Sequence, residues 1–459
     1  MSKARPLSDP RQIIDLSPMT VAQITVVVIT VLLNAMDGFD ILSIAFASPG
    51  IMADWHITRA QLGIVLSAEL IGMGIGSVFL GGVADKLGRR PTLLGCLVVM
   101  ALGMIGATTA TSPVILSVWR VFTGLGIGGM LSATNAVVDE FSNAKRRSLC
   151  ISFMVIGYPL GGGIGGLYAS SLIDAYGWRS VFYFGATATA ILLPVVFICV
   201  PESVQWLTRT QPLQALARVN ASLKRLGHQA VSALPEIQAS DRKKSIADIF
   251  SPSLIRITLV LTACYFLHIL TFYFLLKWTP TIIAGMKFQA SEAGRVLAYA
   301  NLGGAAGGMV FGLLTSRIGL KPLTIAILLL NAVAVVSFGQ SPMVLSTLTM
   351  LAVGVGFFGN AAVSGLYSIV AYGFPTHVRA TGTGFVIGVG RAGAALSPIL
   401  AGYLFNSNIL LPTVAIIMAV GSLLAAFVLM FLQASSSMKP VTTEAPASLR
   451  MTRAEGRAS

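Results

Sequence analysis

Charge is scarce in this chain. Only 10% of its 459 residues are Asp, Glu, Lys or Arg, against about 25% in soluble domains. With 55% hydrophobic residues and a mean hydropathy of +0.82, that shortage excludes an ordinary soluble domain and implies a polytopic membrane protein. Cysteine is scarce too. Cys96, Cys150, Cys199 and Cys264 fall in or beside apolar stretches without metal-ligand spacing. They read as buried structural thiols, and no metal site is expected. No Gly-Lys-Ser/Thr follows the glycine runs, and no strand pattern precedes them, which excludes a phosphate loop. No nucleophile–base pair is visible, so neither an enzyme nor a bound cofactor is expected. The first apolar stretch is too long for a signal-peptide core, so a cleaved leader is not expected either.

What is abundant is apolar length and glycine. Stretches long enough to cross a bilayer fall at about 21–46, 61–83, 92–110, 114–137, 148–173, 179–200, 256–276, 290–315, 322–339, 342–370, 379–405 and 411–433. These twelve spans predict an all-α membrane protein with a cytoplasmic N-terminal tail at 1–20. A six-helix bundle at 21–200 and a second at 256–433 flank a cytoplasmic central loop at 201–255. A cytoplasmic tail at 434–459, rich in Ser, Thr, Ala and Arg, reads as disordered. The 47 glycines suit closely packed or sliding helices.

Acidic residues are outnumbered 17 to 31 by basic ones, for a net charge of +14. The placement of the excess argues against a nucleic-acid footprint. With the N-terminus inside, Lys3, Arg5, Arg11, Lys86, Arg89, Arg90, Lys145, Arg146, Arg147 and the central-loop cations all lie on one side. Arg59, Arg179, Lys277, Lys287 and Arg295 lie on the other. That bias is the positive-inside pattern and puts both termini in the cytoplasm.

The halves repeat. Gly81 to Pro91 after span two matches Gly312 to Pro322 after span eight. Gly81/Gly312, Gly88/Gly319 and Pro91/Pro322 are identical, and Lys86/Arg317 and Arg90/Lys321 keep their charge. Two six-helix halves of one orientation follow.

Charges inside spans point to function. Asp37-Gly38-Phe39-Asp40 sits in a run from Val21 to Phe46 that has no other charge. Two carboxylates three apart share a helical face. One or both can take up a proton from outside and release it inside. They can equally form fixed ion pairs with arginines of other spans. Asn34 lies one turn earlier and can share the lining. Glu69 in span two is a further proton-relay candidate, with pairing to Arg120 as the structural reading. Arg391 is twelve residues from Arg379, roughly 18 Å along a helix, which puts it near mid-membrane. A guanidinium grips a carboxylate through two parallel hydrogen bonds, so Arg391 is the favoured substrate contact and Arg120 the second. Tyr265 and Tyr273 in span seven can stack on a ring, although aromatic clusters also serve ordinary packing, and His268 can hydrogen-bond substrate or a neighbouring helix. Asp85, Arg89, Arg90, Glu140, Arg147 and Arg379, with Gly81 and Gly88, gather at the cytoplasmic ends of their spans. They are read as a gate in which Arg89 pairs with Glu140 and Asp85 faces the positive N-terminus of span eleven. Gly157 to Gly163 interrupts span five and predicts a flexible packing face.

The run Gly81 to Arg90 resembles the loop signature of the major facilitator superfamily, G-x-x-x-D-[RK]-x-G-R-[RK]. Arg120 with Gly124, Gly126 and Gly128 is similar to that superfamily's span-four motif, and Pro201-Glu202-Ser203 resembles the segment closing span six. Asp37-Gly38-Phe39-Asp40 resembles the D-G-x-D signature of the aromatic acid:proton symporters. The resemblance implies the major facilitator fold. It also implies proton-coupled import of an aromatic or related unsaturated carboxylate such as a benzoate, hydroxybenzoate, protocatechuate or muconate. A monomer in a bacterial inner membrane is implied, with the bilayer, a proton and the small carboxylate as partners and no nucleic acid. The second-half loop departs from the pattern with Ser316 where the first has Asp85. A transporter of sugars or dicarboxylates and a drug or metabolite exporter remain alternatives. Span five lacks the spacing of the G-P-x-x-G-G antiporter pattern.

Overall fold

The computed structural model describes residues 9–235, 246–315, 317–375 and 378–432. Among them are twelve helices long and apolar enough to cross a membrane. They are α1 (Val21–Trp55), α2 (Arg59–Leu87), α3 (Arg89–Thr108), α4 (Pro113–Phe141), α5 (Arg147–Tyr176), α6 (Arg179–Cys199), α7 (Ile255–Gly285), α8 (Ala290–Leu314), α9 (Leu320–Gly339), α10 (Leu345–Gly373), α11 (Arg379–Asn406) and α12 (Leu411–Met430). The architecture is therefore all-α, with twelve spans in two six-helix halves, as the sequence predicts.

Local chemistry sets the ends. Thr20 with Gln23 and Thr58 with Gln61 form capping boxes at the starts of α1 and α2, which satisfy backbone N–H groups that a helix leaves free. Ser112 caps α4 ahead of Pro113 at its first position. Gly88 turns α2 into α3 at φ +108°, a conformation open to glycine. A Cβ there would also meet the Glu202 carboxylate.

Five features differ from the sequence reading. α1 continues past Phe46 to Trp55, and α7 continues past Leu276 to Gly285. Lys277 seemed to end span seven at the outer surface, but Trp278, Ile282 and Ile283 carry the helix on, and Lys277 is buried inside it. The segment read as a central loop contains the helices Val204–Thr210 and Ala215–Arg225. Trp206, Leu207, Val219 and Leu223 are buried there, and Trp206 Nε1 donates to the Asp85 carbonyl at 2.8 Å. The N-terminal tail likewise holds a helix, Pro10–Leu16. Cys199 is exposed, whereas Cys96, Cys150 and Cys264 are buried. Ser316 and the tail at 434–459 lie outside the described residues.

Large apolar side chains such as Val78, Phe79, Val118, Phe153, Leu313, Val333 and Phe427 are exposed on the outside of the bundle. Such a surface suits acyl chains and is costly in water, so this is a multi-pass membrane protein. Hereafter the end holding Val21 is the near end and the end holding Trp55 the far end. At the far end the halves touch. Ser48 of α1 hydrogen-bonds Thr281 of α7 at 2.7 Å, and the Arg59 guanidinium of α2 sits 5.5 Å from the Phe405 ring centre of α11. At the near end Gly74 and Gly82 of α2 and Gly384 and Gly388 of α11 have nothing within 4 Å of a built Cβ. The molecule is closed at the far end and parted at the near end.

Candidate functional site

α1 carries the acidic centre. Asp37 and Asp40 have no solvent exposure, and none of their four carboxylate oxygens meets a hydrogen-bond donor among the described residues. A buried polar group without a partner is rare and costly. The helix reaches this depth because Gly38, between the two acids, lets α5 approach: a Cβ at Gly38 would strike the Tyr158 carbonyl. On α5, a Cβ at Gly161 would strike Ala35. Gly161–Gly165 forms a π-helical turn between two α-helical segments, the local irregularity expected of the glycine run and a feature often found at functional sites. Asn34 is bound here too, donating to the Met154 carbonyl of α5 at 2.6 Å.

A second layer is made of ion pairs. Glu69 of α2, Arg120 of α4 and Lys277 of α7 are all fully buried. Glu69 pairs with Arg120, and the Lys277 ammonium stands 3.8 Å from Glu69 Oε2. Arg120 also donates to the Asp40 carbonyl at 2.7 Å, contacts Met104 Sδ at 3.2 Å and lies over the Phe182 ring. Its two terminal nitrogens are thus engaged inside the first half, while its Nε has no partner among the described residues.

Arg391 of α11 is different. It is partly buried and forms no ion pair with a carboxylate among the described residues. Tyr265 of α7 packs against its helix, and Tyr367 of α10 lies beside Tyr265. Tyr265 and Tyr367 approach at 3.3 Å between hydroxyls, with ring centres 5.6 Å apart. Gly390 lets the Tyr265 ring lie against the α11 backbone. His268 is not part of this group. Its Nδ1 meets Ser422 Oγ at 2.9 Å and its Nε2 meets the Gly359 carbonyl at 3.1 Å, both within the second half. Of its two expected roles, a bond to substrate or to a neighbouring helix, these bonds match the second.

At the near end the structure joins most of the expected gate residues. Arg89 bonds Glu140 at 2.8 Å and Asp85 at 2.8 Å. Arg147 pairs with Asp15 and with Asp139. Arg90 donates to the Phe197 carbonyl at 2.6 Å and stacks on the Phe197 ring. Gly81 lies within α2 just before this cluster. Asp85 does not face α11 as expected; its partners are Arg89 and Arg209. Arg379 donates instead to the Phe374 carbonyl at 3.4 Å. The physical reason is the parting of the halves at this end. Glu202 accepts from the backbone N–H groups of Arg89 and Ser203 at 2.8 and 2.9 Å, so it fastens the central segment to the α2–α3 turn.

The sequence profile of the Major Facilitator Superfamily matches residues 28–355 and 261–455. The chain belongs to the major facilitator superfamily. Within it the chain falls among the aromatic acid transporters, and it is a transporter rather than an enzyme. It is similar to a gallate transporter of Pseudomonas putida, at 28% identity over 92% of this chain and 94% of the relative. A 4-hydroxybenzoate transporter of the same organism is 30% identical over 84% of this chain and 87% of the relative. A benzoate transport protein of Acinetobacter baylyi is 27% identical over 86% of each. Among solved structures, the xylose transporter of E. coli in a partially occluded inward open conformation superposes with a TM-score of 0.69 at 17% identity. That match covers 92% of this chain and 100% of the other. A bacterial homologue of the lysosomal transporter Spinster gives 0.67 at 15%, covering 90% and 97%. These two likenesses concern the fold.

Lys277, Tyr158 and Tyr367 escaped the sequence reading. The lysine was placed outside because its span was cut one residue short of it. A scan that let apolar residues on both sides outvote a single charge would have kept it inside.

Proposed function

We propose that this chain is a proton-coupled symporter that imports an aromatic carboxylate by alternating access. The observation that carries the reading is Arg391, a cation with no carboxylate ion pair among the described residues, on a helix that packs at Gly390 against the Tyr265 ring, itself beside Tyr367. A guanidinium offers a planar fork to a carboxylate, and tyrosines offer ring faces and hydroxyls to a substituted ring. The relatives named for gallate, 4-hydroxybenzoate and benzoate are acids of this chemistry. The proton falls to Asp37 and Asp40, which are buried and meet no hydrogen-bond donor among the described residues. Glu69 stands instead in an ion-pair role beside Arg120. A proton on α1 neutralises part of the charge that substrate adds to the low-dielectric centre, so the loaded carrier can reorient. The near end faces the cytoplasm, as the basic residues around Arg89, Arg147 and Arg209 favour. The Arg89–Glu140–Asp85 cluster gates that side, and the protein acts as a monomer in a bacterial inner membrane.

The test is uptake in proteoliposomes with an acidic exterior, using labelled 4-hydroxybenzoate against competing solutes. Benzoate-type acids should compete, while xylose and succinate should not. Competition by the sugar or the dicarboxylate alone would replace the substrate class. Accumulation only when the acidic side is inside would make the protein an exporter.

A further inference from the structure

Lys277 is unexplained by the substrate site and by the proton site. A fully buried ammonium is expensive unless paired and hydrogen-bonded. Its partners both belong to the other half. It donates to the Ile41 carbonyl, next to Asp40 on α1, and stands 3.8 Å from Glu69 Oε2 on α2. Glu69 is thereby held between a cation of its own half, Arg120, and a cation of the opposite half. Among the ion pairs of the described residues, Glu69–Lys277 is the one that joins α1–α6 to α7–α12. It lies on the far-end side of the interface that Ser48 and Thr281 close. One turn further along α7, Thr281 makes that contact, so the helix brings the salt bridge and the hydrogen bond to the same seam.

We infer that Lys277 is the positioning residue that latches the far end shut through Glu69, so that parting of the halves at that end must break this pair. The inference rests on the alternating-access reading above, and it adds the contact that the transition must break. Opening carries Lys277 away with α7 and leaves both its acceptors on the first half. Arg120 remains beside Glu69, so the carboxylate keeps a partner in the open state and the ammonium does not. The latch is therefore asymmetric: its removal changes the balance of the two states chiefly through Lys277. A charge at this position holds the closed state; an apolar side chain of similar length does not.

The experiment reads conformation without substrate, so its failure and a failure of the carboxylate reading are distinguishable. Spin labels go on the full chain at Ala53→Cys and Asn406→Cys, exposed positions at the far ends of α1 and α11, in a Cys199→Ser background in nanodiscs. Distances are measured in Lys277→Met, Lys277→Arg, Glu69→Gln and the Lys277→Met/Glu69→Gln double variant. We expect Lys277→Met to raise the ratio of far-end-open to far-end-closed molecules by about 5- to 150-fold, the usual span of inter-site coupling. Glu69→Gln and the double variant should give the same rise rather than its square, and Lys277→Arg should restore the closed share. An unchanged distribution in Lys277→Met would overturn the latch. So would a double variant whose effect is the product of the two single ones, or a Lys277→Arg protein as open as Lys277→Met.

Discussion

Replacing Arg391 by lysine keeps the positive charge and removes the fork. In the structure this guanidinium has no acidic ion-pair partner among the described residues, and its helix packs against the Tyr265 ring, which lies beside Tyr367, so its donors are available to a ligand. A carboxylate bound bidentately accepts two charge-assisted hydrogen bonds, and lysine can return only one in comparable geometry. Losing one such bond costs about 1.5–3 kcal/mol, which corresponds to a rise of about 10- to 150-fold in KM. Arg391→Met should cost more, because the substrate charge then meets no cation at this depth of α11. The assay is the initial rate of labelled 4-hydroxybenzoate uptake in proteoliposomes over a substrate series at fixed pH gradient. Maximal rate should change less than KM, since the lost contact is to bound substrate. A KM for Arg391→Lys within twofold of the parent, with normal protein density in the vesicles, would refute the assignment of Arg391 to the carboxylate.

Glu69→Ala leaves Arg120 without its carboxylate in a fully buried site. Breaking such a pair costs about 3–5 kcal/mol, so thermal stability in detergent should fall sharply and recover in part when Arg120→Met is added. The Glu202 carboxyl is raised above its usual 4.5, with burial as the leading cause against the backbone bonds from Ser203, Arg89 and Arg90. Its contribution to stability is therefore full below pH 4.5 and lost as pH rises through the raised value. The melting temperature of Glu202→Gln should fall less than the parent's over that window. Cys199 is exposed at the near end of α6 while the other three thiols are buried. A membrane-impermeant maleimide should modify one thiol per chain, from the cytoplasmic side; modification from outside would invert the proposed orientation.

The spans and the half-repeat were legible because hydropathy over a bilayer's thickness and glycine spacing are strong one-dimensional signals. Asp37 and Asp40 stood out for the same reason: a charge in an uncharged run is conspicuous. Arg89 with Glu140 was legible from placement at neighbouring helix ends. The helices of the central segment were hidden by its polarity. Val204–Thr210 and Ala215–Arg225 bury one apolar face against the first half and leave the other wet, so their average composition reads as loop. Lys277 was hidden by the opposite error, a charge taken as a boundary inside a helix that continues to Gly285. The packing of Tyr265 from α7 beside Tyr367 from α10 and against Gly390 of α11 joins three helices, and no spacing rule within one helix joins them. Residue type left two roles open for His268, substrate or a neighbouring helix, and its bonds to Ser422 and Gly359 are of the second kind.

The central claim is coupling of proton and carboxylate through α1. The direct measurement is simultaneous recording of substrate and proton entry in proteoliposomes, with labelled 4-hydroxybenzoate outside and a pH-sensitive dye inside, for the parent, Asp37→Asn and Asp40→Asn. The account predicts that substrate entry acidifies the interior of parent vesicles. It also predicts that at least one aspartate variant loses this acidification and gradient-driven accumulation while still exchanging labelled for unlabelled substrate. Substrate entry without acidification in the parent, or full coupling in both variants, would contradict it.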